Sequence, residues 1–115
     1  MTKNLSLHIR ATTAGAVLEL TGDLDHHTAP EVRAALPGID LRPDQQLVID
    51  LGGLTFCDSS GISVLIAARN HTLAADAGIA LAGVPGRVSR IFGMVGLDQV
   101  FRTYPTVDAA EAASG

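Results

Sequence analysis

One stretch of the sequence decides the fold, VIDLGGLTFCDSSGI at residues 48–62. It begins as a buried strand, passes through a short connection and reaches an Asp-Ser-Ser-Gly turn that opens a long, apolar-faced helix. The turn places the adjacent hydroxyls of Ser59 and Ser60 at a helix N-terminus, where backbone N–H groups are unpaired and the helix dipole is positive. Such a position can hold a phosphate, and a serine there can also receive one.

Upstream of this stretch, the pattern predicts a hairpin and a short helix. Leu5, Leu7 and Ile9 alternate with polar residues, as in a half-buried strand, and residues 17–20 supply the partner strand. A polar loop is predicted at residues 22–27. The helix after it is predicted from Thr28 and Glu31 in capping-box spacing, Pro30 in the first turn, Val32, Ala35 and Leu36 on the apolar side, and Pro37 and Gly38 at the end.

The central strand and the long helix follow. Residues 47–51 form an apolar run interrupted only by Asp50, as expected of a strand covered on both faces. The helix is predicted from Ser60 to Ala77, with Gly78 as its stop. Its buried side chains are predicted to be Ile62, Leu65, Ile66 and Leu73.

The remaining residues continue the alternation of strand and helix. We predict a strand at residues 79–84, a helix closed by Gly96, a short strand at residues 100–104 and an alanine-rich helix from Val107. The apolar stripe of the first of these helices consists of Val88, Ile91, Phe92 and Val95. Together, the elements predict a single α/β domain over residues 1–115, with a mixed sheet of four to five strands backed by about four helices.

Composition limits the classes of function. With 115 residues, 47% of them hydrophobic and 17% charged, the chain can bury an ordinary core. A net charge of −4 and 3% aromatic residues argue against a nucleic-acid partner, which needs a basic face or a stacking platform. No segment reaches the ~20 apolar residues of a membrane span, and the first residues lack the apolar block of a signal peptide. A soluble cytoplasmic protein with no membrane partner is expected.

Two segments, residues 22–25 (Gly-Asp-Leu-Asp) and 56–61 (Phe-Cys-Asp-Ser-Ser-Gly), resemble the two functional loops of the STAS domain family, in particular those of bacterial anti-sigma factor antagonists. The resemblance implies a single STAS domain in which Ser59 is phosphorylated, Asp58 helps to present it, and Gly61 lets another protein approach the backbone closely. The family often has glycine where this chain has Ser63. The partner-binding residues that the resemblance implies are Asp25, His26, His27, Asp58, Ser59, Ser60, Gly61 and Ser63.

The same resemblance implies a regulatory function by partner switching. The unphosphorylated form of such an antagonist binds an anti-sigma factor and frees the sigma factor to direct transcription. The anti-sigma factor, usually itself an ATP-dependent serine kinase, phosphorylates the serine and breaks the complex, and a separate serine phosphatase restores it. We expect the helix N-terminus to receive the phosphate, so that the switch acts locally. The core beneath it is predicted to contain Ile49, Leu65, Ile66, Ile91 and Phe92.

Other interpretations remain open. The chain could be a STAS adaptor subunit of a lipid-transport ATP-binding complex, or a module that binds a small ligand or nucleotide. Asp58 could also be a plain helix cap. A catalytic function is not expected, because neither Ser59 nor Ser60 has the glycine two residues earlier that a hydrolase elbow requires, and no P-loop is present.

No cofactor or metal is predicted. The adjacent His26 and His27 are expected to point in different directions, and the sequence has no further cluster of ligands around them. Cys57 is the one cysteine, which rules out an internal disulfide. Its neighbours Leu54 and Phe56 favour a buried thiol in the core over a redox sensor.

Overall fold

The computed structural model describes residues 4–114 and contains one five-stranded mixed sheet in the order β1-β2-β3-β4-β5. Its elements are β1 (Leu5–Thr12), β2 (Gly15–Leu24), α1 (Ala29–Ala35), β3 (Gln46–Cys57), α2 (Ser59–Ala74), β4 (Gly78–Ala82), α3 (Gly86–Met94), β5 (Arg102–Tyr104) and α4 (Val107–Ser114). β1 and β2 are antiparallel, and the other three pairs are parallel. The predicted α/β class and mixed sheet are confirmed, whereas the predicted boundaries at residues 1 and 115 lie outside the described residues.

The sheet separates two layers of helices. α1, α2 and α3 contribute to the main apolar cluster on one face, which includes Leu18, Leu20, Ile49, Leu65 and Phe92. α4 covers the other face through Ala110, which packs with Val17, Val48, Ala80 and Ala82. Within residues 4–114, none of the helices has both the length and the apolar character required to cross a membrane.

The first hairpin is confirmed, but its predicted burial is only partly right. Thr12 pairs with Gly15, so two residues form the turn. Leu5 and Leu7 are partly buried, whereas Ile9 is exposed. β1 lies at the edge of the sheet, and α1 approaches Leu5 and Leu7 through Ala34 and Ala35. Ile9 is not among the residues that line this groove with α1, and it is exposed despite its place in the alternating pattern.

β2 and β3 run further than predicted. Residues 22–24 belong to β2 and not to a loop, and β3 continues past Leu51 as far as Cys57. The register between the strands shifts at Glu19/Thr21 and at Gly22/Asp23, and each shift leaves one extra residue in β3. On the face of the main apolar cluster, the buried residues of β3 therefore change from every second position, up to Leu51, to every third position, at Leu54 and Cys57. This change hid the end of the strand from a period-two analysis.

The buried face of α2 differs from the predicted one. Its buried residues are Gly61, Val64, Leu65, Ala68 and Thr72. Ile66 is 38% exposed and Leu73 is 53% exposed, so both predictions are wrong, and Ile62 is only partly buried. Most residues of the buried set are small, whereas α2 carries large apolar side chains on other faces as well, which made the helical pattern ambiguous.

The ends of α2 and α3 also needed correction. α2 begins at Ser59 and ends at Ala74, because Asp76 adopts a left-handed conformation with φ 56° before Gly78 opens β4. Gly96, which was predicted to close α3, adopts a left-handed conformation with φ 78°. Val88 and Phe92 are buried and Ile91 is partly buried. Val95 is exposed because α3 ends at Met94.

Candidate functional site

Two strand ends form the base of the candidate site. Leu24 at the end of β2 pairs with Cys57 at the end of β3, and the Asp58 N–H donates to the Leu24 carbonyl oxygen at 3.2 Å. Asp25 and Asp58, the next residues of each strand, therefore start their loops side by side at the carboxyl edge of the sheet. The structure thus brings together the two loops that the sequence analysis singled out.

Both loops use the same aspartate cap. Oδ1 of Asp58 accepts the N–H groups of Ser60 at 2.8 Å and of Gly61 at 3.2 Å. Oδ1 of Asp25 accepts the N–H groups of His27 at 2.9 Å and of Thr28 at 3.1 Å. In each case the carboxylate binds the second and third residues after itself, as an N-terminal helix cap does. These hydrogen bonds fix the backbone of both loops.

The predicted capping box at the start of α1 is wrong. The side chain of Thr28 makes no cap hydrogen bond to the helix. Its buried hydroxyl instead donates to the Asp23 carbonyl oxygen at 2.8 Å and accepts the Asp25 N–H at 3.0 Å. Thr28 therefore ties the end of β2 to the loop, whereas the Asp25 carboxylate binds the N–H groups of His27 and Thr28, which precede α1.

Asp25 is held in its ionised form. Partial desolvation raises the pKa of its carboxyl group, but hydrogen bonds from the backbone N–H groups of His27 and Thr28, and from the Thr28 side chain, outweigh this and lower the pKa below its usual value. The nearby His27 acts in the same direction. A negative charge is thus fixed next to the loop that carries Ser59.

The serines of the turn differ in exposure. Ser59 is exposed, and its hydroxyl makes no hydrogen bond to any residue in the described range 4–114. Ser60 is partly buried and lines a cleft between α1 and α2 together with Ser63. This cleft has a volume of about 270 Å³, and the rest of its lining consists of His26, Ala29, Pro30 and Arg33.

Arg33 was missed by the sequence analysis. The sequence pattern of α1 pointed only to its apolar side, where Val32 is indeed buried. A usable signal was present, because Arg33 follows Ala29 by four residues and Pro30 by three, the spacing of neighbours on one helical face. The structure places all three at the cleft beside Ser60.

Gly61 faces the interior of its own domain. A Cβ atom there would lie 2.7 Å from Sγ of Cys57 and 2.8 Å from the carbonyl oxygen of Leu24. The residue is buried. The paired ends of β2 and β3 therefore already exclude a side chain at Gly61, and the close approach of another protein to its backbone stays a prediction.

The helix N-terminus is also less open to a phosphate than predicted. The N–H groups of Ser60 and Gly61, which belong to the first turn of α2, already donate to the Asp58 carboxylate. A phosphate on Ser59 would have to compete with a fixed negative charge for these donors. The Asp58 cap thus occupies these two N–H groups in the unphosphorylated chain, and the binding of the phosphate at the helix N-terminus stays a prediction.

Cys57 is a core residue, as predicted. It is 4% exposed, and its Sγ lies 3.6 Å from the Asp58 carbonyl oxygen. Burial, followed by the negative charge of Asp58, raises the pKa of the Cys57 thiol from 9.0 to about 11. At neutral pH the group is a neutral thiol, which is the unreactive form.

The raised pKa gives a test of this burial. Folded protein is expected to react with iodoacetamide at pH 8 at least about 100-fold more slowly than urea-unfolded protein, since a two-unit difference in pKa reduces the thiolate fraction about 100-fold. The neutral thiol also stabilises the fold fully below pH ~9, and this contribution is lost as the pH rises towards 11. Equal alkylation rates would show that Cys57 is accessible.

The two histidines do not point apart as predicted. The ring centroids of His26 and His27 are 3.9 Å apart with an interplanar angle of 39°, so the rings lie against each other on the exposed loop. In residues 4–114, no group of three His, Cys, Asp or Glu side chains is arranged to hold a metal ion. The loop presents a polar surface next to Ser59.

Comparison with known proteins places this geometry in a family. Residues 6–110 match the STAS domain, and the chain belongs to that family. It is 28% identical over 98 residues to the anti-sigma-B factor antagonist of Listeria monocytogenes, covering 84% of this chain and 86% of the relative. It is 29% identical over 102 residues to the anti-sigma F factor antagonist of Paenibacillus polymyxa, covering 88% and 87%.

A solved structure agrees with these relatives. The crystal structure of an anti-sigma factor antagonist from Mycobacterium paratuberculosis superposes with a TM-score of 0.77, at 29% sequence identity, over 96% of this chain and 93% of that chain. All three are named as antagonists of anti-sigma factors. The comparisons therefore favour the antagonist interpretation over the transporter alternative.

Proposed function

We propose that this protein is an anti-sigma factor antagonist that is switched off by phosphorylation of Ser59. The observation that carries the proposal is the exposed side chain of Ser59, which directly follows the Asp58 cap on the loop beside that of Asp25. The relatives named as antagonists support the regulatory class. In this proposal the unphosphorylated chain binds an anti-sigma factor in the cytoplasm, releases the sigma factor and has no catalytic role of its own.

The partner surface combines both loops with one face of α2. It contains the exposed His26, His27, Ser59 and Ser63, with Asp25 and Ser60 partly buried between them. The aspartate caps fix these groups before binding, so little conformational entropy is lost when a partner docks. Asp58 and Gly61 contribute by shaping the turn.

The same face of α2 offers apolar contacts beyond the loops. Ile66 and Leu73 follow Ser59 by seven and fourteen residues, which is the spacing of one helical stripe, and both are exposed. An anti-sigma factor that covers the Ser59 hydroxyl can bury these side chains as well. Apolar contact along α2 then supplies affinity, and the polar loops supply the site that phosphorylation controls.

Phosphorylation breaks the complex through charge. The reaction transfers the terminal phosphoryl group of ATP to Oγ of Ser59, and the serine proton leaves to a base of the kinase. The product carries about −1.5 to −2 charges at pH 7. Asp58 and ionised Asp25 are already fixed nearby, so a third anionic group at the interface adds repulsion that a surface fitted to a neutral hydroxyl cannot offset. A serine phosphatase restores the hydroxyl by hydrolysis.

A reconstitution separates this proposal from its alternatives. The chain is incubated with ATP and an anti-sigma factor that has serine kinase activity, and the phosphate is located by mass spectrometry. A stable complex without phosphate, and its loss after Ser59 is modified, supports the proposal. Retention of a transporter ATPase in a pull-down, or of a bound small molecule, would instead support the adaptor or the ligand-binding interpretation.

Asp25 provides a charge test at the partner surface. Asp25→Lys is expected to weaken anti-sigma factor binding at least about tenfold, because it reverses a fixed charge in the interface. It also removes the cap on His27 and Thr28, so the protein should melt a few degrees lower. Titration calorimetry and thermal melting measure the two effects separately.

Two controls separate charge from capping. Asp25→Asn keeps an oxygen that can cap the same N–H groups, so it should retain the wild-type melting temperature while losing affinity. Asp40→Lys makes the same charge change at an exposed position outside the two loops and should bind normally. Wild-type affinity in both Asp25 variants would remove this loop from the partner surface.

A further inference from the structure

The cleft between α1 and α2 is lined by a positively charged side chain and by hydrogen-bond donors. Among its lining residues, Arg33 carries a positive charge and none is acidic. The side chains of His26, Ser60 and Ser63 supply hydrogen-bond donors. Within residues 4–114, Arg33 is exposed and no carboxylate forms an ion pair with it. The cleft therefore matches a small anion in both charge and hydrogen-bonding groups.

The acidic groups around the cleft lie outside its lining. Asp25 and Asp58 direct Oδ1 at backbone N–H groups of their own loops. Glu31, the acidic residue of α1, lines a different groove with Leu5 and Leu7. The positive charge of Arg33 is thus not neutralised by the acidic residue of α1. The two capping aspartates lie on the same surface but outside the cleft lining.

Ser59 lies within reach of this cleft. It precedes Ser63 by four residues on α2, and such neighbours have Cβ atoms about 5–6 Å apart. Ser63 lines the cleft, so a phosphate that extends from Oγ of Ser59 reaches its rim. The N–H groups of Ser60 and Gly61 already donate to Asp58, so the cleft offers the phosphate a positive side chain that the helix N-terminus lacks.

We propose that the α1–α2 cleft receives the phosphate of phosphoserine 59 within the same chain, with Arg33 as the principal counter-charge. The hydroxyls of Ser60 and Ser63 donate hydrogen bonds to the phosphate oxygens, and a ring N–H of His26 is a further donor. The phosphorylated form then covers His26, Ser60 and Ser63, which the proposed partner surface requires. This inference rests on the proposed modification of Ser59 but concerns a property of the modified chain alone.

The experiment installs phosphoserine at position 59 through an expanded genetic code, so that no kinase or anti-sigma factor takes part. The phosphorus resonance is titrated in the modified wild type, in its Arg33→Gln variant and in its Arg87→Gln variant. Arg87 is an exposed arginine on α3 and serves as the matched control. We expect Arg33→Gln to raise the second pKa of the phosphate by about 0.3–0.7, as for loss of one exposed ion pair, and Arg87→Gln to leave it within about 0.1.

The outcomes are distinct. A phosphate pKa that is the same in wild type and Arg33→Gln, or that rises equally in Arg87→Gln, would overturn the proposal, whatever the kinase experiment shows. Inorganic phosphate at about 10 mM, added to the unmodified protein, is expected to leave the side-chain resonances of Arg33 unchanged, because an exposed ion pair alone binds weakly. Saturable shifts of Arg33 in this arm would make the cleft a site for free phosphate and would refute the requirement for the phosphoserine tether.

Discussion

Ser59→Ala is expected to abolish phosphate incorporation by the anti-sigma factor kinase while preserving binding, whereas Ser60→Ala should still be phosphorylated. Ser59 is exposed, whereas Ser60 is partly buried and lines the cleft with α1. A kinase active site can therefore reach Oγ of Ser59 without moving either helix. Mass spectrometry after incubation with ATP measures modification, and titration calorimetry measures binding. Phosphate mapped to Ser60 in the wild type would overturn the assignment.

Modification itself should reduce affinity at least about 100-fold, because like charges placed in an interface cost several kcal/mol. Ser59→Asp adds only one negative charge and should reproduce the loss incompletely. Amide chemical shifts should change in the Asp25 and Ser59 loops, the first turn of α2 and the adjoining face of α1. Large changes through α3 or the first hairpin would instead indicate a conformational switch.

Gly61→Ala is expected to destabilise the fold by about 1–3 kcal/mol, which lowers the melting temperature by roughly 5–15 °C. The added methyl group would lie 2.7 Å from Sγ of Cys57 and 2.8 Å from the carbonyl oxygen of Leu24. The backbone oxygen belongs to a paired strand end and cannot move freely. The start of α2, with Ser59, would have to shift away from β2. Thermal and urea unfolding measure the loss.

Gly86→Ala is the matched control. Gly86 begins α3, and a Cβ atom there would lie more than 4 Å from the surrounding atoms of residues 4–114. Its stability should stay within about 0.5 kcal/mol of wild type, since alanine also has a higher helix propensity. If Gly61→Ala unfolds at the same temperature as Gly86→Ala, the contact between α2 and the strand ends is looser than described here.

Local sequence patterns predicted the order of the elements well but placed several ends wrongly. Alternation in strands and helical spacing in helices reflect which side chains are buried, and both patterns can be recognised over the length of a whole element. They fail at the end of β3, where two register shifts bring Leu51, Leu54 and Cys57 to the core at intervals of three. A bulge depends on the neighbouring strand, so the sequence of β3 alone does not reveal it.

In the candidate site too, the features that depend on residues close in sequence were predictable, and those that depend on tertiary packing were not. The capping role of Asp58 follows from sequence, because its partners are two and three residues away. The cleft does not follow, since Arg33 meets Ser60 and Ser63 only when α1 packs beside α2. The exposure of Ile66 and Leu73 likewise depends on how α2 is rotated against the sheet. The packing of the helices decides which side chains meet and which are exposed, and a local sequence pattern carries little information about that packing.

The paired aspartate caps have a consequence for timing in the proposed cycle. Because Asp25 and Asp58 hold both loops in place, the chain needs no slow rearrangement before it can be modified, released or rebound. The lag between a cellular signal and the transcriptional response is then set by the turnover of the kinase and the phosphatase and by diffusion of the partners. The regulatory state of such a protein is then defined by the presence or absence of one phosphate, and the fixed loops add no slow conformational state to it.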